Sequence, residues 1–207
     1  HVEYFRKGLA AIRTIPIRQT MVGKSSSRPN PGEAWFLMAL WRALELKEDP
    51  AGRGYFEQGR ELSRRYGGKT GELAYLIEAT EQYIRPGVFS EVAAQAEALA
   101  RELGDPGRLA EFLAVKAYGL SGTQESAKAI AAATEAAELY RKMGERGYYG
   151  ERLAQRAGIR LQENDVSGAM ADFEEAIKIA DEIGPAVRTI GPRIEAVVVY
   201  NSNPVAV

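Results

Sequence analysis

Three segments of this chain repeat one pattern: AEALARELG at residues 96–104, AAELYRKMG at 136–144 and AIKIADEIG at 176–184. Each begins with alanine and closes with glycine, and its apolar residues stand three or four positions apart, as on one face of an α-helix. The same interval of 40 residues joins three upstream leucines, Leu73, Leu113 and Leu153. A fixed interval of this length is typical of stacked helical hairpins, in which no hairpin buries its apolar face alone. The pattern therefore predicts an all-α, right-handed solenoid of antiparallel helix hairpins.

The composition excludes several classes of site. Hydrophobic residues make up 45% and charged residues 27% of the 207 residues, which is ordinary for a folded chain. Cysteine is absent and the only histidine is His1, so disulfides, thiol nucleophiles, Cys-ligated metals and histidine acid–base chemistry are excluded. No apolar run approaches the ~20 residues of a membrane span. We therefore predict no catalysis, no cofactor, no metal and no membrane partner.

The chain is predicted to have three parts. Residues 1–30 join a basic linker to a short amphipathic helix over 1–15, whose apolar face carries Val2, Phe5, Leu9 and Ile12. Residues 31–184 form the helical repeat domain. Residues 185–207 are either an extended or irregular tail, which a run of three valines favours, or a truncated further repeat that starts at Pro192. The start at His1 rather than Met predicts a processed product or a fragment.

Glycine and proline mark the predicted helix ends within the repeat domain. The first helix runs from Ala34 to about Leu46, and the second ends at Tyr66-Gly67-Gly68. A third runs from about Gly71 to Ile84, and Pro86-Gly87 turns it into a fourth. Each later hairpin closes on a glycine, the residue that adopts a left-handed helix cap without steric cost.

The last hairpin resembles a tetratricopeptide repeat (TPR), in the longer form with periods near 40. The resemblance is carried by five residues along its two helices, Leu153, Ala157, Ala169, Phe173 and Ala176, and by the turn Asn164-Asp165. Earlier hairpins keep the small residues Ala117, Ala129 and Ala136, and the set Gly52, Phe56 and Gly59. The resemblance covers about residues 33–184 and implies a concave groove lined by the first helix of each hairpin. An unrelated, HEAT-like hairpin array is the alternative.

Under this resemblance, the groove is predicted to be lined by Trp41, Tyr75, Glu78, Tyr118 and Gln155. Aromatic residues with polar neighbours suit an extended or helical peptide. Trp41 has a second interpretation, as core between the first two helices.

Charged residues in the last hairpin carry two further predictions. Arg152, Arg156 and Arg160 recur at every fourth residue, so they form either a stripe that recognises an anionic partner or a solvated face. Acidic residues of the last helix alternate with apolar ones, and we expect them to form its solvated face: Asp172, Glu174, Glu175, Asp181 and Glu182.

The C-terminal tail suggests a second function class. No polar capping helix follows Gly184, and the tail residues Ile194, Val198 and Tyr200 are predicted to join subunits into a homo-oligomer or filament. Residues 194–207, with Tyr200-Asn201-Ser202-Asn203-Pro204, also resemble a short segment of molybdopterin oxidoreductases. A fragment related to those enzymes is the weaker alternative.

The sequence favours a non-enzymatic scaffold that binds a protein or peptide partner, with a self-assembling structural protein as the alternative. Six basic residues against one acid in residues 1–30 are too dispersed to form a dense patch, which disfavours nucleic acid. A cytoplasmic location is favoured over a secreted or surface assembly.

Overall fold

The computed structural model describes residues 1–14, 31–82 and 86–184, and every regular element within these ranges is an α-helix. The helices of this part of the chain are α1 (Val2–Thr14), α2 (Pro31–Glu45), α3 (Ala51–Glu81), α4 (Pro86–Leu103), α5 (Pro106–Leu120), α6 (Ser126–Met143), α7 (Arg146–Gln162) and α8 (Val166–Ile183). The predicted all-α class is thus confirmed for the described residues. The linker and the C-terminal tail, with Ile194, Val198 and Tyr200, lie outside them.

Contacts between residues group the chain into two compact units, His1–Leu103 and Gly104–Val207. The first contains α1 to α4 and the second α5 to α8, and within each unit helices that follow one another in sequence pack together. The boundary falls at Gly104, inside the predicted repeat domain. Each unit is described by itself below.

A break at Gly68 makes α3 a hairpin of its own. Gly68 has φ 61° and ψ −155°, a backbone conformation that a side chain would strain. The arms on either side fold back on each other, and a Cβ added to Gly71 would lie 2.6 Å from the Ser63 carbonyl oxygen. The helix end predicted at Tyr66-Gly67-Gly68 and the restart near Gly71 are confirmed.

The glycines that close the later helices have the expected left-handed φ. The φ angles are 66° at Gly104, 77° at Gly144 and 78° at Gly184. The next helix after Gly104 begins on a side-chain cap, because Asp105 Oδ1 accepts hydrogen bonds from the backbone N–H groups of Gly107 and Arg108 at 2.9 and 3.1 Å. Local turn chemistry therefore determines where these helices end and begin.

An aromatic stack forms the centre of the first unit. Trp41 of α2 lies 4.8 Å, centroid to centroid, from Phe56, and Phe56 lies 5.7 Å from Tyr75 on the second arm of α3. All three rings are buried. The ring of Tyr75 closely approaches Gly59, where a larger residue would collide with it. The stack joins α2 to both arms of α3.

Small residues lie where α7 and α8 pack. Ala157, Ala169 and Ala176 are fully buried, together with Leu153 and Phe173, in one cluster. Because the alanine side chains are small, the backbones of the two helices can pack closely, as the sequence predicted for Ala169 and Ala176.

Two buried acids hold the hairpins of the two units in the same manner. In the second unit, Asp172 of α8 is only 5% exposed and accepts hydrogen bonds from Arg156 at 2.6 and 2.8 Å and from Arg160 at 3.0 Å. In the first unit, the buried Glu72 accepts a hydrogen bond from Arg60 at 2.7 Å. Its other oxygen lies 3.7 Å from Arg64.

These contacts correct the prediction that Asp172 lies on a solvated face, although Glu174, Glu175, Asp181 and Glu182 are exposed as expected. Arg156 and Arg160 of α7 both bond to Asp172 on α8, so these two arginines do not form a solvated face. A buried carboxylate requires such partners, because an unpaired charge in the interior is costly.

Enlarging Ala176 tests the close packing of α7 and α8. We expect Ala176→Leu to lower the free energy of unfolding by roughly 1–3 kcal/mol, because the added carbons have no room beside Leu153 and Ala157. Ala171→Leu, at an exposed position of the same helix, is the control and is expected to have little effect. Equal unfolding midpoints for the two variants in urea would contradict the packing.

Removing the carboxylate of Asp172 tests the buried charge network. We expect Asp172→Ala to cost about 3 kcal/mol of stability, because Arg156 and Arg160 lose the acid that compensates their charge. The matched change Glu174→Ala, at an exposed acid two residues away, is expected to stay within about 0.5 kcal/mol. Urea unfolding monitored by circular dichroism measures both, and a similar loss from both variants would contradict the network's role.

Candidate binding cleft

An open cleft of about 300 Å³ runs along one face of α2 in the first unit. Its floor is α2, and its walls are the beginning of α1 and the last turns of α3. The residues that line it are His1, Phe5, Trp35, Met38, Ala39, Arg42, Ala43, Leu46, Glu78 and Gln82.

The cleft exists because α2 is apolar on two faces. One face buries Leu37, Leu40 and Leu44 in the unit's core. The other carries Trp35 towards the cleft, where Leu46 follows directly after the helix, and these side chains remain 53% and 62% exposed. A helix that is apolar on more than one side is typically covered on each of them, and contiguous exposed apolar surface marks interaction sites.

Aromatic contacts shape one end of the cleft. Trp35 packs edge-on against Phe5 of α1, with ring centroids 6.0 Å apart, and against Phe36, at 5.0 Å. Nearby, Arg13 donates a hydrogen bond to Glu33 at 2.6 Å, which ties the end of α1 to the beginning of α2. The Trp35 ring is therefore positioned by its neighbours while part of it stays open to solvent.

Besides His1, the cleft is lined by a basic side chain, Arg42, and an acidic one, Glu78. Arg42 donates a hydrogen bond to the side-chain oxygen of Gln82 at 2.7 Å, and it forms no ion pair with any acid in the part of the chain that the structure describes. Glu78 lies one turn before Gln82 on the same helix, is exposed, and forms no ion pair with any residue that the structure describes. The cleft thus combines an apolar floor with two opposite charges on one side.

Of the groove residues predicted in the first unit, only Glu78 lies in the cleft. Trp41 is 2% and Tyr75 4% exposed, which corrects their predicted role as contact surface, since both are enclosed in the aromatic stack. For Trp41 this agrees with the alternative interpretation as core. Trp35 and Leu46 were not among the predicted groove residues, although their separation of 11 residues, three helical turns, is a signal that the two side chains share one side of α2 and its continuation.

The other predicted residues belong to the second unit. Tyr118 projects from α5 with 71% of its surface exposed, and it stays a predicted contact residue. Gln155 of α7 instead donates to the carbonyl oxygen of Ala114 at 2.7 Å, which ties α7 to α5. Arg152 donates to Gln155 and Glu151 at 3.2 and 3.0 Å.

The Arg156 side chain forms its hydrogen bonds with other residues of the second unit. Besides its two bonds to Asp172, it donates to the Thr134 hydroxyl at 3.1 Å. The hydrogen bonds and charge of Asp172 raise the pKa of the Arg156 guanidinium. Because this charge is already compensated, Arg156 is not available to an anionic partner in the way the sequence suggested.

The hydroxyl of Tyr75 is buried without a hydrogen-bond partner among the described residues. Burial raises the pKa of this hydroxyl well above its ordinary value, and the negative charges of Glu78 and Glu57 add to the increase. Tyr75 thus lies in the core beneath the acidic side of the cleft as a neutral group.

The sequence matches no protein-family model, and no curated protein is significantly similar to it. Among the helices that the structure describes, none is both long and apolar enough to cross a bilayer.

Removing the Tyr75 hydroxyl tests whether it is unsatisfied. We expect Tyr75→Phe to raise the free energy of unfolding by about 1 kcal/mol at neutral pH, because an unpaired buried hydroxyl is desolvated without compensation. Above the ordinary tyrosine pKa of about 10, wild type loses stability, since the unfolded chain ionises Tyr75 more readily than the folded chain does; the variant is expected to lose less. Tyr118→Phe, at an exposed tyrosine, is the control for urea unfolding across pH. A destabilised Tyr75→Phe would reveal a hydrogen bond at this hydroxyl.

Proposed function

We propose that this protein is a non-enzymatic interaction module that binds a segment of a protein or peptide partner in the α2 cleft of its first unit. The observation that carries the proposal is the second apolar face of α2, with Trp35 and Leu46 more than half exposed. Isolated apolar residues on a surface are common, but here they line one open cleft together with Phe5 and Met38.

The composition of the cleft supports protein recognition. Interface centres are enriched in Trp, Phe, Met and Arg, and the cleft presents Trp35, Phe5, Met38 and Arg42. Rigid aromatic side chains lose little conformational entropy when a partner binds, and the Trp35 ring is already held by Phe5 and Phe36. A partner would therefore meet a preorganised anchor.

The TPR-like, right-handed arrangement of the hairpins is part of the same proposal. It is supported by the 40-residue spacing and by the small residues at helix contacts, Gly59, Ala157, Ala169 and Ala176. Tyr118 of the second unit stays a proposed contact residue for a partner.

Loss of the Trp35 ring is expected to abolish most binding. A displayed library of random linear peptides, about 16 residues long or about four helical turns, is selected on wild type, and the enriched peptides are synthesised with a fluorescent label. We expect Trp35→Ala to weaken the binding of these peptides by more than about 1 kcal/mol, because the aromatic anchor is lost from the cleft. Fluorescence anisotropy measures the affinities, and circular dichroism checks that the fold is retained.

Val166→Ala is the matched control, because Val166 is an apolar side chain 53% exposed on α8, in the second unit. We expect it to leave the affinities unchanged. A library that yields no peptide dependent on Trp35 would refute the proposed cleft.

A further inference from the structure

Resting on the proposed function, we infer that the occupant of the α2 cleft is an amphipathic α-helix, with a basic residue facing Glu78 and an acidic residue facing Arg42. The sequence alone left extended and helical peptides equally open. The helices that line the cleft favour the helical peptide over the extended one.

The elements that line the cleft in the described part of the chain are all helices: α1, α2 and the second arm of α3. Within a helix the backbone N–H and C=O groups bond to one another, so these walls present no row of free backbone groups. An extended peptide would lose hydration of its own backbone without finding partners. In a helical peptide the backbone hydrogen bonds are formed within the peptide itself, so binding requires only side-chain contacts.

The dimensions of the floor suit a helix. From Trp35 to Leu46 the floor extends about 17 Å at the α-helical rise of 1.5 Å per residue, which is about three turns. On another face α2 already receives an amphipathic helix, since Leu9 of α1 packs on Leu37 and Leu40. The cleft would receive a second helix in the same way.

The two charges determine the direction in which a helical occupant would lie in the cleft. Glu78 lies one turn before Gln82, and Gln82 is joined to Arg42. Glu78 on the wall and Arg42 on the floor therefore lie roughly one helical turn apart along the cleft. A bound helix that places a lysine or arginine beside Glu78 and an acid one turn further along pairs with both. These two ion pairs at the rim of the cleft would determine which amphipathic helices bind, whereas the apolar contacts would supply most of the affinity.

The labelled peptides selected for dependence on Trp35 are the probes for this inference. We expect them to gain helical circular dichroism on binding, and proline at a central position to weaken them by about tenfold or more, because proline breaks the helix. A second selection uses Glu78→Lys. We expect the peptides selected on this variant to carry an acidic residue in place of the basic one, and to bind wild type about tenfold more weakly than they bind the variant. The control is Glu61→Lys, at an exposed acid that does not line the cleft, and we expect it to select the same peptides as wild type.

Peptides that depend on Trp35 yet tolerate central proline and gain no helicity would overturn the helical occupant and leave the proposed function standing. Helical peptides whose charges are unchanged by Glu78→Lys would overturn the charge pairing. Only the absence of any peptide dependent on Trp35 would refute the proposed function itself.

Discussion

Close approach of neighbouring helices at small residues is the constraint on which the other features of this protein depend. Ala157, Ala169 and Ala176 are fully buried between α7 and α8, and Gly59 lies directly against the ring of Tyr75. Backbones that approach so closely leave no room for water, and any polar group between them needs a partner from the protein. The packing of the hairpins therefore also dictates how the buried charges are satisfied.

The buried acids show this consequence in both units. Asp172 lies between Arg156 and Arg160, and Glu72 lies beside Arg60. Each acid sits on the second helix of a hairpin and its arginines on the first, so the pair forms only when the two helices are in register. Replacing such pairs with apolar residues often costs nothing in stability. We therefore interpret them as setting the register of each hairpin.

The cleft also follows from how each helix buries its apolar surface. A helix inside a hairpin array buries its apolar stripe against its neighbours and exposes polar residues elsewhere. α2 departs from this rule, because Trp35, and Leu46 directly after the helix, lie on a face that the described neighbouring helices leave exposed. Arg42 and Glu78 lie at that face without an opposite charge from the described residues. Exposed apolar surface and these two charges in one cleft are the features on which the proposed partner site at α2 rests.

Local physics explains what the sequence by itself determined: the all-α class, the break at Gly68 and the positive φ of Gly104, Gly144 and Gly184. Such features depend on residues a few positions apart and on the steric freedom of glycine. Tertiary structure alone decided that Trp41 is core while Trp35 is exposed, and that Asp172 is buried among arginines that sequence periodicity assigned to a surface. Both outcomes depend on which neighbouring helix covers each face, and residues distant along the chain supply that cover.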